Sequence, residues 1–110
     1  MTFEEYQAKA PATAIHHPDQ LMDQTIWVLG MAGETGEVVE KWKKIVAYRD
    51  GKITDDDKRE LTKEVGDVLW YMSLFADSLG VKLSDIASQN LEKLADRKKR
   101  GVQKGAGDNR

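Results

Sequence analysis

The sequence predicts an all-α, four-helix-bundle-like protein, on three observations. Apolar residues recur at helical spacing in two long segments, capping and stop signals bracket four segments, and Val81 to Leu83, which resembles a strand, is too short to count as one. Thr2 and Glu5 have capping-box spacing, so "TFEEYQAKA" reads as a short first helix ended by Pro11. "ATAIHHP" is a connector, and Pro18 suits the first turn of a second helix running to about Tyr48. After the turn "RDGKI", Thr54 caps a third helix and "DDD" sets acids at its positive end. That helix runs to about Leu79, where Gly80 supplies a left-handed stop. Ser84 opens a fourth helix that reaches Arg100 and stops at Gly101. Residues 1–100 thus form a single helical domain, and 101–110 a basic, glycine-rich tail with nothing to bury, mobile unless something binds it.

Composition narrows the function classes. The 110 residues suffice for one domain and one modest core, and 33% charged with 40% apolar residues is a globular balance. No run approaches the roughly 18 to 20 apolar residues of a membrane span, and "MTFEEYQAKA" lacks the basic flank and apolar core of a signal peptide. The expected location is the cytoplasm. Zero cysteines remove disulfides and thiolate metal sites. A formal net charge of -2 argues against generic nucleic-acid binding, and "RKKRG" in the basic C-terminal segment has no interleaved aromatics.

Helical phase, at about 100° per residue, locates the acids. In the second helix Trp27, Met31, Val38, Trp42 and Ile45 form one apolar arc, widened by Val28, Val39 and Val46. Glu34 lies on its border and Glu37 one step further round, beside Lys41 and Lys44. In the third helix Leu61, Val65, Val68, Leu69, Met72, Phe75, Ala76 and Leu79 form the arc, with Glu60, Glu64, Asp67 and Tyr71 along its edge. Antiparallel packing across "RDGKI" would bring Glu34, Glu37, Glu64 and Asp67 together. Four converging carboxylates repel unless a cation joins them, and oxygen-only ligands favour magnesium, with manganese as a substitute. A di-iron bundle would need Glu-x-x-His pairs, which are absent here. The plainer account is a solvated face carrying the i,i+4 pairs Glu37–Lys41, Glu40–Lys44 and Lys63–Asp67. Spacing alone leaves the two accounts even.

"GETGEVVEKWKK" followed by "KEVGDVLWYMSLFADSLG" resembles the Glu-x-x-Glu and Glu-x-x-Asp signature of the MazG-like, all-α nucleoside triphosphate pyrophosphohydrolases, relatives of dCTP pyrophosphatases and dimeric dUTPases. The resemblance spans about Pro18 to Arg97. It implies a MazG-type fold with Glu34, Glu37, Glu64 and Asp67 as catalytic magnesium ligands, and cleavage of (deoxy)nucleoside triphosphates to monophosphate and pyrophosphate. One departure is Gly33, where many members carry an acid. The pattern "NLEKLADR" resembles the family's segment after the second acid pair, which implies phosphate or sugar contacts for Asn90, Lys93 and Arg97. Tyr71 matches an aromatic placed near sugar and base, although a lone tyrosine at a core edge also serves packing. Lys41, one turn after Glu37, is the second helix's phosphate candidate or a salt-bridge partner.

Other residues take plainer roles. Trp70 lies off the main arc and is assigned to a subunit contact, and Trp27 and Trp42 to the core, Trp42 being the alternative for base stacking. His16 and His17, at a helix entrance, favour a cap or structural role over acid–base work. "TIWVLGMA" is apolar almost all round, more than a small bundle covers, so a homodimer or homotetramer is expected, as the family also implies. A non-catalytic helical binding or regulatory protein that retains the metal-binding fold is the alternative to the enzyme.

Overall fold

Cap chemistry sets the helix boundaries in the computed structural model, which describes residues 1–110. Helix α1 covers Phe3–Lys9 behind the Thr2–Glu5 capping box, and a 3-10 turn over Ala10–Thr13 continues it through Pro11. Helix α2 covers Gln20–Arg49. It starts two residues later than Pro18 because Asp19 is the cap, its carboxylate accepting from Leu21 N at 2.9 Å. At the far end Asp50 and Gly51 take left-handed φ values of 53° and 75°, which reverses the chain. Helix α3 covers Asp55–Ser78 behind a Thr54–Asp57 capping box. Asp57 also accepts from Arg49 Nη2 at 2.6 Å, tying the start of α3 to the end of α2. Arg49 and the Thr54 donors hold the Asp57 carboxyl well below the usual carboxylate range.

Helix α4 covers Leu83–Arg100 and differs from the expected start at Ser84. Its cap comes from α1. Buried Gln7 accepts from Leu83 N at 2.8 Å and donates to the Val81 carbonyl at 2.8 Å, so a side chain 76 residues away in sequence satisfies the helix entrance. Val81 to Leu83 forms no strand. No helix is long and apolar enough to cross a membrane.

Packing centres on the α2–α3 hairpin, with α1 and α4 lying against α3 and each other; α4 does not pack on α2. Ala10, Trp27 and Leu74 are the buried centre of the core, with Tyr6, Ile26, Trp70, Tyr71 and Phe75 packed round it. Trp70, expected at a subunit contact, is partly buried and packs against this core. Its ring stands 5.9 Å from Trp27 and 4.9 Å from Tyr71, and its Nε1 donates to Thr13 Oγ1 at 2.8 Å. The two histidines have the expected structural role at the helix entrance. Asp23 accepts from His17 N at 2.9 Å and faces His17 Nδ1 at 2.8 Å, while His16 Nε2 donates to the Pro11 carbonyl at 2.9 Å.

One chain leaves much apolar surface uncovered. Only ten residues are buried, and the radius of gyration is 16.9 Å; a compact chain of this length would give about 13 Å. Of the arc expected on α2, Trp27 and Ile45 are buried, whereas Val28, Val39, Trp42 and Val46 are exposed. Met72, Leu79, Ile86 and Leu94 are exposed on α3 and α4. The apolar circumference of α2 is wider than α3 can cover.

Candidate metal and active site

Lengthwise packing of α2 on α3 sets acids against acids. Glu34 and Glu64 are half-buried and Asp67 is exposed, and each offers a carboxylate oxygen within 4.8 Å of the others. Partial burial and the charges of Asp67, Glu64 and Glu37 push the Glu34 carboxyl above its ordinary pKa, the direction expected where negative groups converge without enough positive charge. Glu37 lies outside this triad. It is exposed on α2, near enough for its charge to act on Glu34.

Lys41 faces the triad from α2. Its Nζ stands 3.3 Å from Glu64 Oε1 and 3.9 Å from Glu60 Oε2, so it bridges the helices and does not form the expected pair with Glu37. Lys63 likewise pairs with Glu60 at 2.6 Å and not with Asp67, while the expected Glu40–Lys44 pair is present at 3.5 Å. Beyond Lys41, a cavity of about 270 Å³ runs between the helices, lined by Lys44, Tyr48, Arg49 and Glu60 among others.

Tyr71, one turn beyond Asp67, packs flat into the hairpin. A Cβ on Gly30 would overlap the Tyr71 ring at Cδ1, Cε1 and Cζ, so the missing side chain lets the ring rest on the α2 backbone. Gly30 is one turn from Glu34, and this contact therefore sets the helix separation beside the carboxylates. Gly33 and Gly66, next to Glu34 and Asp67, have nothing within 4 Å of a Cβ position, which leaves the triad open on that side. Two contributors escaped the sequence reading. Gly30 was visible as a glycine inside a long helix; Tyr6 of α1, whose phenol pKa is raised by partial burial and by Asp67, gave no local signal.

The α4 residues form a separate group. Asn90 is exposed, lining a cavity with Phe3, Leu69 and Ile86. Lys93 Nζ and Arg97 Nη2 meet on the Asp108 carboxylate at 3.1 Å and 3.2 Å. Arg97 is buried, and the tail folds back so that Asp108 meets its guanidinium. Both cations form their ion pairs with Asp108 and not with the carboxylates of α2 and α3.

The model of the MazG nucleotide pyrophosphohydrolase domain matches residues 23–102. The chain belongs to the MazG family. The matched span contains α2 from Asp23 onward, all of α3 and α4, and every candidate site residue named from the sequence, while Tyr6, Gln7 and Asp108 lie outside it. The chain is also similar to the Gene 37 protein of Mycobacterium phage L5, 42% identical over 109 residues, which cover 96% of each chain. No solved structure gives a significant match. The family is that of the MazG nucleotide pyrophosphohydrolase domain, and the all-helical architecture agrees with it. A carboxylate cluster able to hold a metal ion stands on the two helices that carry the signature.

Proposed function

We propose that this MazG-family protein is a cytoplasmic, magnesium-dependent pyrophosphohydrolase that converts (deoxy)nucleoside triphosphates to monophosphate and pyrophosphate, in cleaning or control of the nucleotide pool. The convergence of Glu34, Glu64 and Asp67 within 4.8 Å carries the reading. Their all-oxygen donor set, unbalanced in charge and open to solvent, fits a hard divalent cation that keeps positions for phosphate and water. Magnesium would be held by these three residues, with Glu37 joining them when substrate draws it in; manganese has the same donor preference. When bound, the ion supplies Lewis acidity and neutralises phosphate charge.

The chain's own residues do the rest. Glu37, exposed and outside the triad, orients a water toward the α-phosphorus and takes its proton. A bond forms from the water oxygen to the α-phosphorus, and the bond to the α,β-bridging oxygen breaks with its electron pair leaving on pyrophosphate. Lys41 moves from Glu64 to a phosphate oxygen when substrate arrives. Asn90, Lys93 and Arg97 meet the phosphates or sugar, and Tyr71 forms the floor below the sugar and base. In water enriched in oxygen-18, label is expected in the monophosphate and not in pyrophosphate. Label in pyrophosphate, or release of orthophosphate alone, would overturn attack at the α-phosphorus.

Assembly completes this site. The exposed Val28, Val39, Trp42 and Val46 of α2 and Leu94 of α4 are apolar surfaces that a second copy would cover, bringing α4 of one chain toward the carboxylates of its partner. Sedimentation equilibrium is expected to give a homodimer or homotetramer. A monomer mass at working concentration contradicts the shared site.

A further inference from the structure

We infer that residues 101–110 form a strap whose Asp108 occupies Lys93 and Arg97 in the place of a substrate phosphate, and that an arriving polyphosphate displaces it. The inference rests on the reading of Lys93 and Arg97 as phosphate contacts. Asp108 Oδ1 accepts from Lys93 Nζ at 3.1 Å and Arg97 Nη2 at 3.2 Å, and the Asp108 carbonyl accepts from the same Nη2 at 2.6 Å. Both cations draw the Asp108 carboxyl below its ordinary pKa, as a phosphate's neighbours would.

The strap is a preformed unit. Gly101 closes α4 at φ 70°, and Val102 N bonds back to the Arg97 carbonyl at 3.0 Å. Arg110 then donates to the carbonyls of Val102, Gln103 and Gly107, and Arg100 Nη2 to the Arg110 carbonyl at 2.8 Å. Gly107, with φ 82°, permits the fold-back. These bonds tie the segment chiefly to itself and to the end of α4, so it swings on Gly101 without disturbing the α2–α3 hairpin.

The occupant matches its site only in part. Arg97 is 5% exposed, yet its Nε is buried with no acceptor, a bond that Asp108 leaves unmade. Asp108 reaches one edge of the guanidinium fork and leaves the other. A phosphate offers three oxygens and more charge, enough to take Nε, Nη2 and the Lys93 ammonium together. Asp108 itself is 80% exposed, and ion pairs with so exposed a partner are weak and screened by salt. The strap therefore shields the cations at rest and yields to a stronger anion.

Inorganic triphosphate added to the full-length protein without metal provides the test. In the wild type, hydrogen exchange across residues 101–110 is expected to quicken on binding. Asp108→Asn is expected to tighten inorganic triphosphate binding by up to about fivefold and to lower KM for nucleotides by a similar factor at unchanged kcat. Weaker binding or a raised KM in that variant would overturn the strap and make Asp108 a positioning residue. Unchanged exchange at saturating inorganic triphosphate would overturn it too. If Lys93→Ala leaves affinity for inorganic triphosphate untouched, the phosphate assignment falls and the strap with it. If strap release occurs in a protein that turns over no nucleotide, the strap stands and only the catalytic reading fails.

Discussion

Glu64→Gln is expected to lower triphosphate turnover by on the order of 10³-fold or more, the loss of several kcal/mol of transition-state stabilisation, with helix content by circular dichroism unchanged. Glu64 is the half-buried member of the triad on α3 and also holds Lys41 at 3.3 Å. The amide keeps the shape of the side chain but loses the charge that a divalent cation needs. Glu60→Gln is the control, since Glu60 also faces Lys41 but stands outside the triad. It should retain activity near that of the wild type. Equal losses in both variants would point to the Lys41 bridge and away from a metal site.

Gly30→Ala is expected to destabilise the protein and reduce its activity, although alanine in a helix interior is ordinarily worth about 1 kcal/mol more than glycine. The added methyl would stand inside the Tyr71 ring, and overpacking of this kind costs roughly 1 to 3 kcal/mol. Relief requires Tyr71 or the whole of α3 to back away from α2, carrying Asp67 away from Glu34. Gly33→Ala and Gly36→Ala meet nothing within 4 Å and should instead gain up to about 1 kcal/mol. Urea unfolding of the three variants separates the cases by sign. A Gly30→Ala protein more stable than the wild type would contradict the account of Tyr71.

Local chemistry made most of the fold legible in the sequence. Both capping boxes, at Thr2–Glu5 and Thr54–Asp57, depend on residues three apart, and Gly80 and Gly101 take the left-handed φ of 70° that a helix stop requires. The acids were legible in part: phase sets Glu34 and Glu37, and Glu64 and Asp67, at the margins of their arcs, and the packing of α2 on α3 brings together three of them without Glu37. Contacts between distant residues were not. Gln7 capping α4, Trp70 bonding to Thr13 and Lys41 crossing to Glu64 each depend on how the helices meet, which no local spacing encodes. Phase also could not choose which part of the broad apolar face of α2 lies inside the chain. Trp42 and Val46 share the predicted arc with Ile45, yet Ile45 is 3% exposed and the other two 45% and 47%. The contacts of the tail were not legible because its acid, Asp108, meets residues 11 and 15 positions earlier through a reversed chain.

The central claim is that the α2–α3 carboxylates hold a divalent cation for hydrolysis of nucleoside triphosphates. Pyrophosphate release from canonical and modified nucleoside triphosphates, followed with magnesium, with manganese and with excess chelator, tests it most directly. The expected result is release of pyrophosphate with an equal amount of monophosphate in either metal and none in chelator, with the preferred base read from the same panel. A folded protein that releases no pyrophosphate from any nucleotide, or that releases it equally well in chelator, would contradict the account.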